Sequence, residues 1–96
     1  MTKDKSIDEL FEEYIVIGSK MPTQTADNML IAYGFYKQAT EGDNTHFRPN
    51  ESSNVVQTIK YAACKRLMGM SQKEAKRQYV EHIKFMMELS KQEGRL

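Results

Sequence analysis

Tyr33, Tyr36 and Lys37 stand at i, i+3 and i+4, so a helix would project two phenols and an ammonium side by side. Lysine supplies a point charge with three donors, each phenol adds a directional hydrogen bond, and an aromatic face offers a stacking surface for a flat base. A phosphate carried on a nucleotide suits that group. The same spacing also describes an amphipathic helix whose tyrosines sit at the core edge and whose lysine is solvated near the helix C-terminus. On spacing alone both readings stand.

Other reactive side chains point to no catalysis. His46 and His82 have no carboxylate or cysteine at metal-ligand spacing, so surface or core-edge roles and no metal are expected. Cys64 is the only cysteine, which excludes an intrachain disulfide and a Cys-x-x-Cys zinc site. Its apolar neighbourhood suits a small buried hydrophobe, and no base and orienting group accompany it as a nucleophile would require. Lys73, Lys76 and Arg77 read as a solvated face with room for weak contact with anionic lipid headgroups. The chain is therefore expected not to be an enzyme.

Four helices are expected to position these residues, over about 7–18, 26–40, 54–68 and 72–92. Ser6 and Glu9 have capping-box spacing, after which Leu10, Phe11, Tyr14, Ile15 and Ile17 form one apolar face until Gly18 and Pro22. Thr25 can cap the second helix, with Asp27 in the first turn, and Gly42-Asp43 breaks it. In the third, Val56, Ile59, Ala63 and Leu67 are expected to face inward, and Gly69 supplies the left-handed stop. Ser71 and Glu74 repeat the capping box, and Ala75, Tyr79, His82, Ile83 and Met86 continue one face of the fourth. The long polar stretch from Gly42 to Ser53 can cross from one end of a bundle to the other, against a plain up-down-up-down order.

Composition agrees with this reading. The 96 residues leave room for one core, so a single domain over 1–96 is expected. They are 40% hydrophobic and 28% charged with mixed sign, which argues against a disordered chain, and only 2 Pro and 5 Gly fit uninterrupted helices. No apolar run approaches a bilayer span, and Met1-Thr2-Lys3-Asp4-Lys5 leads into an acidic helix and not a signal-peptide core, so the expected place is the cytoplasm. The formal net charge is +1, yet residues 31–79 hold 8 basic against 4 acidic side chains. That surplus suits a compact anion and is too small for a nucleic-acid partner.

Met29-Leu30-Ile31-Ala32-Tyr33-Gly34-Phe35-Tyr36-Lys37-Gln38-Ala39-Thr40-Glu41-Gly42-Asp43, followed by Arg48-Pro49, resembles the signature of the acyl-CoA-binding protein family. A second block is similar in order and spacing to the family's third and fourth helices: Ile59-Lys60-Tyr61-Ala62-Ala63-Cys64-Lys65-Arg66-Leu67-Met68-Gly69-Met70-Ser71, then Glu74-Ala75 and Tyr79. The resemblance implies an all-α, four-helix bundle of up-down-down-up order. It also implies a non-covalent ligand, a medium- or long-chain acyl-CoA thioester, with no cofactor.

By position, the resemblance implies that Tyr33, Lys37 and Lys60 hold the 3′-phosphate of CoA, that Tyr36 stacks on adenine, and that Tyr79 also contacts the nucleotide. Met29 and Leu30 fall on positions that line the acyl-chain path. An intracellular carrier follows, expected to be monomeric, with transient membrane contact but no stable insertion. The alternative is a helical protein-interaction module with a degenerate acyl-CoA site. The chain departs from the family in having no Trp: Tyr61 and Cys64 occupy the usual tryptophan positions, and Asn50 stands where Gly commonly follows Arg-Pro. Near the end of the first helix only Lys20 matches the family's basic residues, and it is read as solvated.

Overall fold

Each of three helices begins at a hydroxyl that caps a backbone donor left unpaired by the first turn. In the computed structural model, which describes residues 5–22, 24–43 and 55–94, Ser6 Oγ accepts from the Glu9 N–H at 3.2 Å and opens α1, Ile7–Ser19. Thr25 Oγ1 accepts from the Asn28 N–H at 3.2 Å and opens α2, Ala26–Glu41. Ser71 Oγ accepts from the Glu74 N–H at 3.0 Å and opens α4, Gln72–Gln92. The acidic halves of both boxes turn elsewhere: Glu9 accepts from the Ser6 hydroxyl, and Glu74 holds Gln78 and Arg77.

The fourth element, α3, covers Val55–Lys65 and is shorter than the expected 54–68. After Lys65 the chain tightens into i→i+3 bonds, from Leu67 N–H to Cys64 O at 3.0 Å and from Met68 N–H to Lys65 O at 3.2 Å, before Gly69 takes φ +94°. The stretch 44–54, with His46, Arg48, Pro49, Asn50 and the expected helix start at Asn54, lies outside the described residues, as does the side chain of Val56. Gly18 does not end α1. It lies within the helix at a close approach to α4, where a Cβ would meet Ile83 Cδ1 and Tyr79 Oη at 3.2 Å.

Contacts between helices give their directions. His82 Nε2 lies 3.0 Å from the Asn28 carbonyl and Gln72 Nε2 donates to the Ala39 carbonyl at 3.2 Å, so residue numbers rise along α2 as they fall along α4. Asp8 meets Lys76 and Gly18 meets Ile83, so α1 and α4 run the same way. Tyr33 faces Lys60 while Gly34 faces Ala63 and Leu67, so α2 and α3 are also parallel. The order is up-down-down-up, as expected.

Phe11, Ala39, Ala75, Tyr79, Ile83 and Met86 form the core where α1, α2 and α4 meet, with Tyr14, Ile15, Ile17, Ala32 and Phe35 packed around it. Helix α3 lies outside this core and packs on α2. Ile59, expected to face inward, is 43% exposed because a helix with one described neighbour buries only a narrow stripe. Ala63 and Leu67 are half-buried beside Gly34, where a Cβ would lie 3.2 Å from the Ala63 carbonyl oxygen. That close approach fixes how deeply α3 seats.

Candidate functional site

Along α2, Met29, Tyr33 and Lys37 are successive i+4 neighbours, so they form one stripe about 12 Å long. At its C-terminal end, Lys60 reaches from α3 and places Nζ 5.0 Å from the centroid of the Tyr33 ring. The ring's negative face and the ammonium attract each other, which orients the lysine. One turn further, Lys37 is ion-paired with Glu41. That hydrogen bond raises the Lys37 pKa against the opposing effect of burial, with smaller electrostatic contributions from Glu41, Tyr33 and Cys64. The fold thus brings Tyr33, Lys37 and Lys60 into one cationic, phenol-lined cluster.

Tyr36 points to the other side of the stripe. Its ring is 38% exposed and lies 6.2 Å from Phe11, at an interplanar angle of 28°. Tyr79 sits below, only 7% exposed, tilted against Tyr36 at 6.2 Å and edge-on to Phe11 at 5.2 Å. Burial, with a smaller contribution from Tyr36, raises the Tyr79 phenol above its ordinary pKa. Tyr36 therefore presents an aromatic surface backed by two buried rings, and Tyr79 supports that surface from the core.

At the N-terminal end of the stripe the character changes. Met29, 55% exposed, borders an apolar cleft of about 310 Å³ lined also by Gly18, Ser19, Met21, Pro22, Gln24 and Met86. Gln24 donates to the Ser90 hydroxyl at 3.1 Å beside it. Leu30 is half-buried and does not line this cleft. Three flexible methionines in its lining, Met21, Met29 and Met86, make a wall that adapts to a hydrocarbon.

The surroundings account for the remaining candidates. Cys64 is half-buried and its thiol is raised by desolvation, with the nearby Lys37 cation opposing, which leaves it the neutral form of a small hydrophobe. His82 packs between Phe35 and Phe85 at the core edge. Lys20 is exposed in the turn after α1. Lys76 departs from the solvated face expected of it: its ammonium donates to Asp8 at 2.7 Å and lies 5.6 Å from the Phe11 ring centroid, tying α4 to α1 over its apolar stem. Among the described residues no group of His, Cys, Asp and Glu is placed to hold a metal, and no helix is long and apolar enough to cross a membrane.

Two features escaped the reading of spacing. Gln38, 2% exposed, donates from one amide nitrogen to Asp43 Oδ1 and to the Met70 carbonyl, both at 2.8 Å, while Asp43 Oδ1 also accepts from the Gly69 N–H at 2.8 Å. This clamp fixes the end of α2 to the turn after α3, and so fixes Lys37 relative to Lys60. The other is Glu41 on Lys37, visible in principle as an i, i+4 pair.

Comparison with known proteins bears on the family and the fold. The family described as Acyl CoA binding protein matches residues 8–83. The chain is similar to Acyl-CoA-binding protein 2 of Saccharomyces pastorianus, at 36% identity over 80% of this chain and 88% of the relative. It is also similar to Acyl-CoA-binding protein of Fritillaria agrestis, at 36% identity over 88% and 98%. The crystal structure of Oryza sativa Acyl-CoA-Binding Protein 2 superposes with a TM-score of 0.83 at 33% identity, covering 90% of this chain and 96% of the rice chain. With four helices among the described residues, that superposition, and a family match that takes in all of α2 and α3, the chain belongs to the acyl-CoA-binding protein family.

Proposed function

We propose that the protein binds medium- and long-chain acyl-CoA thioesters non-covalently and serves as their carrier. The observation that carries this reading is the two-ended stripe on α2, with Tyr33, Lys37 and the α3 residue Lys60 at one end and the methionine-lined cleft beside Met29 at the other. An acyl-CoA has the same polarity of ends, a phosphorylated nucleotide and a hydrocarbon. In this reading Tyr33, Lys37 and Lys60 hold the 3′-phosphate and Tyr36 stacks on adenine. Tyr79 acts from beneath by backing Tyr36, and Met29 borders the acyl path, which Leu30 does not reach at the cleft. Binding withdraws thioester and chain from water. The proposal includes a single domain acting as a cytoplasmic monomer that meets membranes transiently, with binding and not turnover as its activity. The relatives' names support the carrier over an interaction module whose site has decayed.

Titration calorimetry with CoA, octanoyl-CoA, palmitoyl-CoA and free palmitate tests it. Each methylene taken fully out of water contributes about 0.8 kcal/mol, about fourfold in affinity, so binding strengthens from CoA to the longer esters until the cleft is filled. Free palmitate, lacking the nucleotide, binds far more weakly than palmitoyl-CoA. Equal affinities for the two would overturn the nucleotide half of the reading.

A further inference from the structure

Lys37 is held by an acid of its own helix. Its ammonium is ion-paired with Glu41, and the lysine side chain is the more enclosed of the two partners. Helix stability explains this acid only weakly. In an i, i+4 pair the favourable order places Glu before Lys, and here Lys comes first. The last turn of α2 carries no basic residue, so Glu41 sets a negative charge at the negative end of the helix dipole. Among the described residues the Asp43 carboxylate is turned to Gln38 and the Gly69 N–H, and the ion pair of Lys37 is with Glu41.

We propose that Glu41 is a specificity-determining residue of the ligand site, an internal competitor that holds Lys37 in the free protein and weakens its grip on a 3′-phosphorylated nucleotide. The inference rests on the acyl-CoA reading and adds a residue to it. An incoming phosphate dianion either displaces the Glu41 carboxylate from the ammonium or shares the ammonium with a like charge. Both outcomes lower affinity and speed release. Because the effect acts through the phosphate, it narrows the preference for CoA over 3′-dephospho-CoA. A carrier that must surrender its cargo gains from such a competitor.

Calorimetry with CoA and with 3′-dephospho-CoA as probes, on the wild-type protein, Glu41→Gln, Lys37→Ala and the double variant, tests this. Glu41→Gln is expected to bind CoA about two- to fivefold more tightly at low ionic strength, the range of a partly exposed ion pair, with the gain shrinking as salt is raised. Affinity for 3′-dephospho-CoA stays unchanged, and most of the gain disappears in the Lys37→Ala background. The thermal midpoint of Glu41→Gln, followed by circular dichroism, is equal to or above that of the wild type. Unchanged or weaker CoA binding by a folded Glu41→Gln, or an equal gain with and without Lys37, overturns the competitor while a loss in Lys37→Ala upholds the phosphate site. Lys37→Ala binding CoA as well as the wild type overturns the phosphate site and the competitor together.

Discussion

A lysine does the same Coulombic work wherever it sits, but its value to a ligand depends on what already holds it. Lys60 rests over the Tyr33 ring, 5.0 Å from its centroid, a contact that orients the charge and leaves its donors available. Lys37 is held by a carboxylate instead. Charge-assisted hydrogen bonds to a phosphate contribute about 1.5–3 kcal/mol each, so Lys37→Ala and Lys60→Ala are each expected to weaken palmitoyl-CoA binding about tenfold or more, read by calorimetry. On the proposed reading, Lys37→Ala also leaves Glu41 unpaired beside the phosphate. The residue types and spacing that suggest this site are plain in the sequence. That Tyr79 would be buried beneath Tyr36 is not, because an i, i+4 face cannot say which member lies deepest.

Between elements, the decisive contact is Gly34 against α3. A Cβ there would lie 3.2 Å from the Ala63 carbonyl oxygen and 3.3 Å from Leu67 Cδ1, and a backbone oxygen cannot move aside without its helix. Gly34→Ala is expected to push α3 outward at a cost of about 1–3 kcal/mol, partly offset by the better helix propensity of alanine. Lys60 then retreats from Tyr33. The expected signature is a loss of CoA affinity larger than the fall in thermal midpoint would suggest, measured on one preparation by calorimetry and circular dichroism. Caps and glycine stops made the helices readable, since Ser6, Thr25, Ser71, Gly42 and Gly69 act through local backbone bonds. The exposure of Ile59 was not readable, because it follows from α3 having one neighbour among the described helices.

Across the whole molecule, the ends of the helices are joined by acids held below their ordinary pKa. Hydrogen bonds from the Gln38 amide and the Gly69 N–H lower the Asp43 carboxyl, and a hydrogen bond from Lys76, helped by its charge, lowers Asp8. A depressed carboxylate contributes stability above its unfolded pKa of about 3.9, and that contribution is lost as pH falls through the folded value. The melting midpoint is therefore expected to hold near neutrality and to drop as pH falls below about 4. Asp43→Asn lowers the midpoint at neutral pH and flattens the drop in acid, both seen in a series of melts. A variant with the same steep acid drop as the wild type would show that Asp43 is not one of the groups responsible.

Some properties follow from the chain alone, because they depend on neighbours within a turn or two: the helical class, the caps, the pairing of Tyr33 and Tyr36 with Lys37, and the excess of cations in the middle segment. The fold settles what depends on distant segments meeting. It brings Lys60 over Tyr33, sets Phe11 and Tyr79 behind Tyr36, and closes an apolar cleft from the end of α1, the start of α2 and Met86. Spacing along a helix specifies direction, and only packing specifies depth and company.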